Sequence, residues 1–179
     1  MTDNISFEAI YESHKKMVYN LALHYVQNIE QAQDITQEVF VKVYQHLPKY
    51  DPGSASLKTW ISRITLNHCL DQLRAKKTKR RFAFITNLFQ QNSNTPLVEL
   101  AVWNHPGVAA EDKEQLQKLF KLINELPEKQ KTVLILCKID DRPQQEVAEI
   151  MGMHLKAIES LLQRAKQNLE KKISAGEGF

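Results

Sequence analysis

Apolar residues in this chain recur every three or four positions over long stretches, the period of an α-helix with one buried face. Phe7, Ile10, Tyr11, Met17, Val18 and Leu21 set the first such stripe and predict a helix from about Ser6 to Val26. Asn28 offers an N-cap for the next helix, with Gln31 placed to complete a capping box. That helix should reach about His46, burying Ala32, Ile35, Val39, Val43 and Leu47. Pro48 ends it, because a proline cannot continue the hydrogen-bond ladder. The stretch LPKYDPGSAS then reads as a loop, and Ser54 or Ser56 can cap a third helix. In that helix Leu57, Trp60, Ile61 and Ile64 form a stripe that continues, with some rotation, through Leu66, Cys69, Leu70 and Leu73. Its other surface shows Lys58, Arg63, Asn67, His68, Asp71 and Arg74. Three interlocking stripes make one small helical bundle.

The pattern breaks over residues 82–110, where Asn, Ser, Thr, Pro and Gly recur and no helical period lasts. Phe82, Phe84, Leu88, Phe89 and Trp103 punctuate this stretch; they either pack on a flanking domain or thread a groove on a partner. From Asp112 the period returns, with Leu116, Leu119, Phe120, Ile123 and Leu126 on one face. Pro127 suits a first helical turn, and Val133, Leu134, Leu136 and Cys137 give the next helix its apolar side. IDDRP reads as a turn, Gln144 to Met151 as a short helix, and Gly152 as a tight turn. His154 or Leu155 then opens a last helix reaching about Ile173. Two helices joined through a glycine turn suit a helix-turn-helix; the alternative is an ordinary αα-hairpin. Val147, Met151, Ile158 and Leu162 can bury its corner, and Ala148 is small where the helices cross.

The predicted fold is therefore all-α: two small helical domains, residues 1–81 and 112–179, joined by a flexible linker at 82–111, the C-terminal one a helix-turn-helix. Composition agrees. Hydrophobic residues make up 42% of 179, charged residues 25%, and only 5 are glycine, which disfavours a loop-rich or all-β chain. Cys69 and Cys137 lie far apart in apolar runs and read as buried free thiols in a reducing compartment. The first residues contain no apolar signal core, and no apolar run is long enough to span a bilayer, so the expected location is the cytoplasm.

Net charge is only +3, but it is unevenly spread. Arg74, Lys76, Lys77, Lys79, Arg80 and Arg81 crowd one helix end. One or two cations there would suit the helix dipole; a dense tract more often meets a polyanion. In the last helix His154, Lys156, Ala157, Glu159, Ser160 and Gln163 are placed to reach base edges, while Arg164, Lys166, Lys171 and Lys172 suit phosphates. No phosphate-binding loop, HExxH, GxSxG or paired-cysteine pattern occurs, so neither an enzyme nor a metal or cofactor site is expected, and no small-molecule substrate. Asp140 and Asp141 fall in a turn, with no further cation ligands at useful spacing.

Three segments in fixed order carry a resemblance: DITQEVFVKVY at Asp34 to Tyr44, LKTWISRITLNHCLDQLR at Leu57 to Arg74, and LPEKQKTVLILCKIDDRPQQEVAEIMG at Leu126 to Gly152, continuing to Leu169. Over nearly its whole length the chain resembles a bacterial RNA polymerase sigma factor of the extracytoplasmic-function (ECF) group. The resemblance implies that the segment at Asp34 to Tyr44 docks on the clamp of the polymerase's largest subunit, with Asp34, Gln37, Glu38, Val41 and Lys42 as contacts. It implies that the loop from Asp51 to Lys58 captures a base flipped from the −10 element. The implied −10 set is Asp51, Ser54, Ser56, Lys58, Trp60, Arg63, Asn67, Arg74, Lys76 and Lys77, with Trp60 either a pocket wall or core. The last helix would read the −35 element as duplex through His154, Lys156, Ala157, Glu159, Ser160, Gln163 and Arg164. The implied partners are core RNA polymerase, promoter DNA and an anti-sigma factor, in many relatives membrane-bound.

One departure stands out. Ala157, Ile158, Glu159, Ser160 and Leu161 replace the Thr-Val-Lys-Ser-Arg-like run of many family members. Two basic positions are lost and one becomes acidic, which means either altered specificity, since Glu can accept from a cytosine amino group, or weaker −35 binding. The competing readings are a free-standing helix-turn-helix regulator that uses only the C-terminal module, and an all-helical adaptor whose basic tract meets an acidic partner. Neither needs the segments at Asp34 to Tyr44 and Leu57 to Arg74.

Overall fold

The computed structural model describes the backbone of residues 6–89 and 110–175 and the side chains of residues 6–79 and 114–175. Among these residues every regular element is a helix: α1 (Phe7–Val26), α2 (Ile29–His46), α3 (Leu57–Phe89), α4 (Ala110–Asn124), α5 (Glu128–Leu134), α6 (Gln144–Met151) and α7 (Leu155–Ser174). A 3-10 turn, Leu47–Lys49, follows α2, and a π-helical turn, Ile135–Ile139, follows α5. The chain divides into two compact units, one of Met1–Asp51 and Ile61–Ala101, the other of Pro52–Trp60 and Val102–Phe179.

In the first unit α1 packs along α2. Ser6 caps α1, its hydroxyl accepting from the Ala9 N–H at 3.2 Å. Gln27, at φ 53°, ends it, and Asn28 starts α2 by accepting from the Gln31 N–H at 2.8 Å. The expected capping box is half made. The Gln31 side chain does not turn back to Asn28 but accepts from Lys76 of α3. Ile10, Val18, Leu21, Ala32, Val39, Val43, Ile61, Leu66 and Cys69 fill the core.

Ser56, not Ser54, caps α3, with its hydroxyl 3.1 Å from the Thr59 N–H. The helix continues to Phe89, past the expected end at Arg81. FAFITNL contains neither proline nor glycine, so nothing breaks the ladder there; its aromatic and β-branched residues lower helix propensity without ending a helix. The contacts of Phe82, Phe84, Leu88, Phe89 and Trp103 lie outside the described side chains.

In the second unit α5 and α6 pack on α7. Val133, Ile135, Leu136, Val147, Ile150, Ile158, Leu162 and Ala165 form the core. Met151 is only half-buried, whereas Ala148 is buried at the crossing. The turn before α6 is pinned by Arg142, whose guanidinium is 5% exposed and donates to Glu146 at 2.8 Å, with Asp140 3.6 Å away. Asp140 is thereby engaged with a cation of the chain itself. Cys69 and Cys137 are buried free thiols. Burial pushes the Cys137 thiol up, partly offset by Lys138.

Candidate functional site

Three surfaces gather the residues that the sequence singles out. On α2, Asp34, Gln37, Glu38 and Val41 are exposed and Lys42 is half-buried. Asp34, Gln37 and Val41 follow helical spacing and share one face. Glu38 and Lys42 stand at its edge and are bound into α3. Glu38 meets the imidazole Nε2 of His68 at 2.6 Å, Lys42 meets Nδ1 at 2.7 Å, and Gln72 donates to Glu38 at 3.5 Å. His68 itself is buried, at 7% exposure, and not on the open surface of α3 where its place in the helical pattern put it. With Gln31 and Lys76 these side chains form a polar seam between α2 and α3.

Beside Val41 the same face carries Tyr44, 63% exposed, in a cluster of aromatic rings. Phe7 lies edge-on to Tyr44 at 5.1 Å and Tyr11 edge-on to Phe40 at 4.7 Å, anchored by the buried Phe40. Tyr44 closes the segment singled out in the sequence but was not itself picked as a contact. Its position one turn beyond Val41, off the stripe Ala32, Ile35, Val39 and Val43, is the signal that exposes it.

The second surface is the loop before α3 and the helix itself. Asp51, Ser54, Ser56 and Lys58 are exposed or at the loop surface, and Trp60 is half-buried. Arg63 is half-buried and Asn67 and Arg74 are exposed, at spacings that keep the three on one side of α3. Arg74 meets Asp71 at 3.4 Å. Lys76 and Lys77 are exposed, as is Lys79, but Lys76 also holds Gln31. The side chains of Arg80 and Arg81 lie outside those described.

The third surface is the start of α7. The turn ahead of it is a Schellman motif: Gly152 has φ 61° and ψ 40°, its N–H donates to the Glu149 carbonyl at 3.2 Å, and the Met153 N–H donates to Ala148 at 2.9 Å. His154 is the N-cap residue, yet its ring makes no capping bond. His154, Lys156, Glu159, Gln163 and Arg164 are exposed, while Ala157 and Ser160 are half-buried beside Ile158 and so less able to reach outward. Leu155 is 39% exposed on the first turn, although its spacing aligns it with the buried stripe Ile158, Leu162 and Ala165. Farther along, Lys172 pairs with Glu125 at 2.6 Å, which holds that carboxyl below the usual carboxylate range. Lys172 is therefore engaged within the unit, whereas Lys166 and Lys171 are exposed. Among the described residues no group of His, Cys, Asp or Glu side chains could hold a metal ion.

Comparison with known proteins agrees with this layout. Residues 10–79 match the model for sigma-70 region 2, and residues 116–169 match that for sigma-70, region 4. The chain is 26% identical over 175 residues to the ECF RNA polymerase sigma factor SigW of Bacillus subtilis, covering 96% of this chain and 90% of that protein. It is 25% identical over 173 residues to the ECF RNA polymerase sigma-E factor of Escherichia coli, covering 96% and 88%. It is 26% identical over 164 residues to the ECF sigma factor SigE of Mycolicibacterium smegmatis, covering 92% of this chain but 60% of the relative. Among solved structures, the sigma factor RpoE of Bartonella quintana, in complex with the anti-sigma factor NepR, shares the fold. Its TM-score is 0.68 at 19% identity, with 94% of this chain and 96% of that one covered. CnrH, solved with the cytosolic domain of CnrY, gives a TM-score of 0.66 at 20% identity, covering 94% and 88%. Two sigma-70 segments in this order on one chain, with relatives in the ECF group matched over most of their length, place it: the chain belongs to the sigma-70 family of RNA polymerase sigma factors, in its extracytoplasmic-function group.

Proposed function

We propose that this chain binds core RNA polymerase and directs it to a set of promoters, performing no covalent chemistry itself. The observation that carries this reading is the pairing of a region 2 segment and a region 4 segment on one chain, each with an exposed polar surface. A lone repressor needs only the second. Residues 1–81 serve as the domain for core polymerase and the −10 element, 82–111 as linker, and 112–179 as the domain for the −35 element. It works in the cytoplasm, where polymerase and DNA are; no helix among the described residues is long and apolar enough to cross a membrane.

The family resemblance, together with exposure, supports the following division of labour. Asp34, Gln37 and Val41 meet the polymerase clamp directly, with Glu38 and Lys42 at the margin. The loop from Asp51 to Lys58 receives a base extruded from the −10 element, with Trp60, Arg63 and Asn67 along the melted strand. Extrusion costs a few kcal/mol, so melting needs the contacts with polymerase and phosphates as well. Arg74, Lys76 and Lys77 supply contacts that do not depend on sequence. The first turns of α7 enter the major groove of the −35 element, where His154, Lys156, Glu159, Gln163 and Arg164 read base edges, with Ala157 and Ser160 lining the approach. An anti-sigma protein is the expected regulator; the Bartonella neighbour was crystallised in complex with one.

Run-off transcription with purified core polymerase and a promoter library tests the proposal. The expected result is initiation at a defined subset of promoters, dependent on this chain. A chain that binds duplex DNA but neither binds core nor directs initiation would instead be a free-standing helix-turn-helix regulator.

A further inference from the structure

The buried histidine between α2 and α3 has no role in polymerase docking or promoter reading as proposed above, yet both of its ring nitrogens are engaged. Lys42 approaches Nδ1 at 2.7 Å, and an ammonium group has donors only, so Nδ1 must be the acceptor. The ring proton of the neutral imidazole therefore sits on Nε2, where it donates to the Glu38 carboxylate at 2.6 Å. One ring thus holds an anion and a cation one helical turn apart on α2. It does so from a site 7% exposed, while Glu38 keeps 52% of its side chain in solvent. Gln72, one turn further along α3, donates to the same Glu38 oxygen at 3.5 Å.

We propose that His68 is a positioning residue for polymerase docking: it touches no partner, but fixes Glu38 and Lys42 at the edge of the docking face. The inference rests on the reading of α2 as the docking surface. Two long side chains held in place before encounter lose less rotamer freedom on binding, which strengthens association without a new contact. Among the described residues, Glu38 and Lys42, both from α2, are the charged groups in contact with the ring.

The experiment measures affinity of the full-length chain for core polymerase by fluorescence anisotropy at pH 8, with circular dichroism as a control for folding. His68→Leu keeps the site filled but cuts both bonds; the expected loss at pH 8 is about tenfold. His68→Gln can still accept from Lys42 and donate to Glu38, and should restore binding to within about twofold of the parent. Glu38→Ala and Lys42→Ala test the underlying reading. If they weaken core binding while folded His68→Leu does not, docking stands and positioning by His68 is wrong. If folded His68→Gln binds as weakly as His68→Leu, the two hydrogen bonds do not position these side chains for docking and the inference is wrong. If neither Glu38→Ala nor Lys42→Ala changes affinity, the docking assignment of these two residues fails, and this inference with it.

Discussion

Replacing Gly152 isolates a single backbone conformation. The residue sits at φ 61°, in the left-handed region, and closes α6 so that α7 can leave at the angle of a helix-turn-helix. A Cβ built on it meets nothing within 4 Å, so no steric clash enters. What remains is conformational. A residue other than glycine loses about 1–2 kcal/mol in this region. Against that, alanine restricts the unfolded chain and returns about 0.4–1 kcal/mol. Gly152→Ala should therefore destabilise the second unit by about 1 kcal/mol. Gly152→Asn should cost less, because asparagine tolerates the left-handed region, and Gly152→Val more, because its branched Cβ does not. A chain of two units need not unfold in one step, so the change is best measured locally. Hydrogen exchange at the amides of Ile158 and Leu162, in the core of α7, should quicken about fivefold in the alanine variant. Affinity for −35 duplex should fall by no more than that, since the two bonds of the Schellman motif survive. A loss above about 3 kcal/mol would mean that the Cβ meets packed atoms. An alanine variant as stable as the parent would mean that the turn relaxes out of the left-handed conformation. Either result refutes the reasoning.

Lys77 and Lys79 are exposed near the described end of the basic tract. The double change Lys77→Gln, Lys79→Gln should lower the salt slope of promoter binding by about 1.4 if both meet a single strand, and by about 1.8 if both meet duplex; an unaltered slope would make them solvated cations. Asp34→Ala with Gln37→Ala should weaken core binding about tenfold while thermal unfolding stays within a degree or two, because both side chains are exposed; unchanged core affinity would move the contact elsewhere. The Cys137 thiol, pushed up mainly by burial, stays protonated at mildly alkaline pH and should react slowly with iodoacetamide in the native chain but promptly in urea; rapid native labelling would contradict its burial.

Most of the fold was legible because it depends on interactions short in sequence. Asn28 announces a cap three residues from the N–H it satisfies, Pro48 and Gly152 mark the ends of α2 and α6, and Ile158, Leu162 and Ala165 repeat at one face's spacing. The helix-turn-helix is such an arrangement from end to end. What the pattern could not give is which polar side chains meet across helices. His68 sits in a series with Arg63, Asn67 and Asp71 and looks like one more surface residue. Only the approach of α2 buries it and turns Glu38 and Lys42 inward. Gln31 was read as a local capping partner for the same reason, when a lysine on another helix claims it. The end of α3 was missed for a different cause. Aromatic and β-branched residues in FAFITNL weaken helix propensity, and that weakness was read as a break, although no breaker is present.

The length of α3 has a consequence for DNA geometry. Arg63 and Lys77 stand fourteen positions apart on one unbroken helix. At about 1.5 Å per residue their Cα atoms are roughly 21 Å apart along its axis. A stacked strand advances about 3.4 Å per nucleotide, so the helix is a ruler roughly six nucleotides long. A flexible tail with the same charges would grip phosphates at any offset from the extruded base. If Arg63 and Lys77 line the melted strand as proposed, a rigid helix would favour only promoters whose melted segment begins at a set distance from the duplex upstream. Spacing would then be part of what this chain selects, alongside the letters it reads.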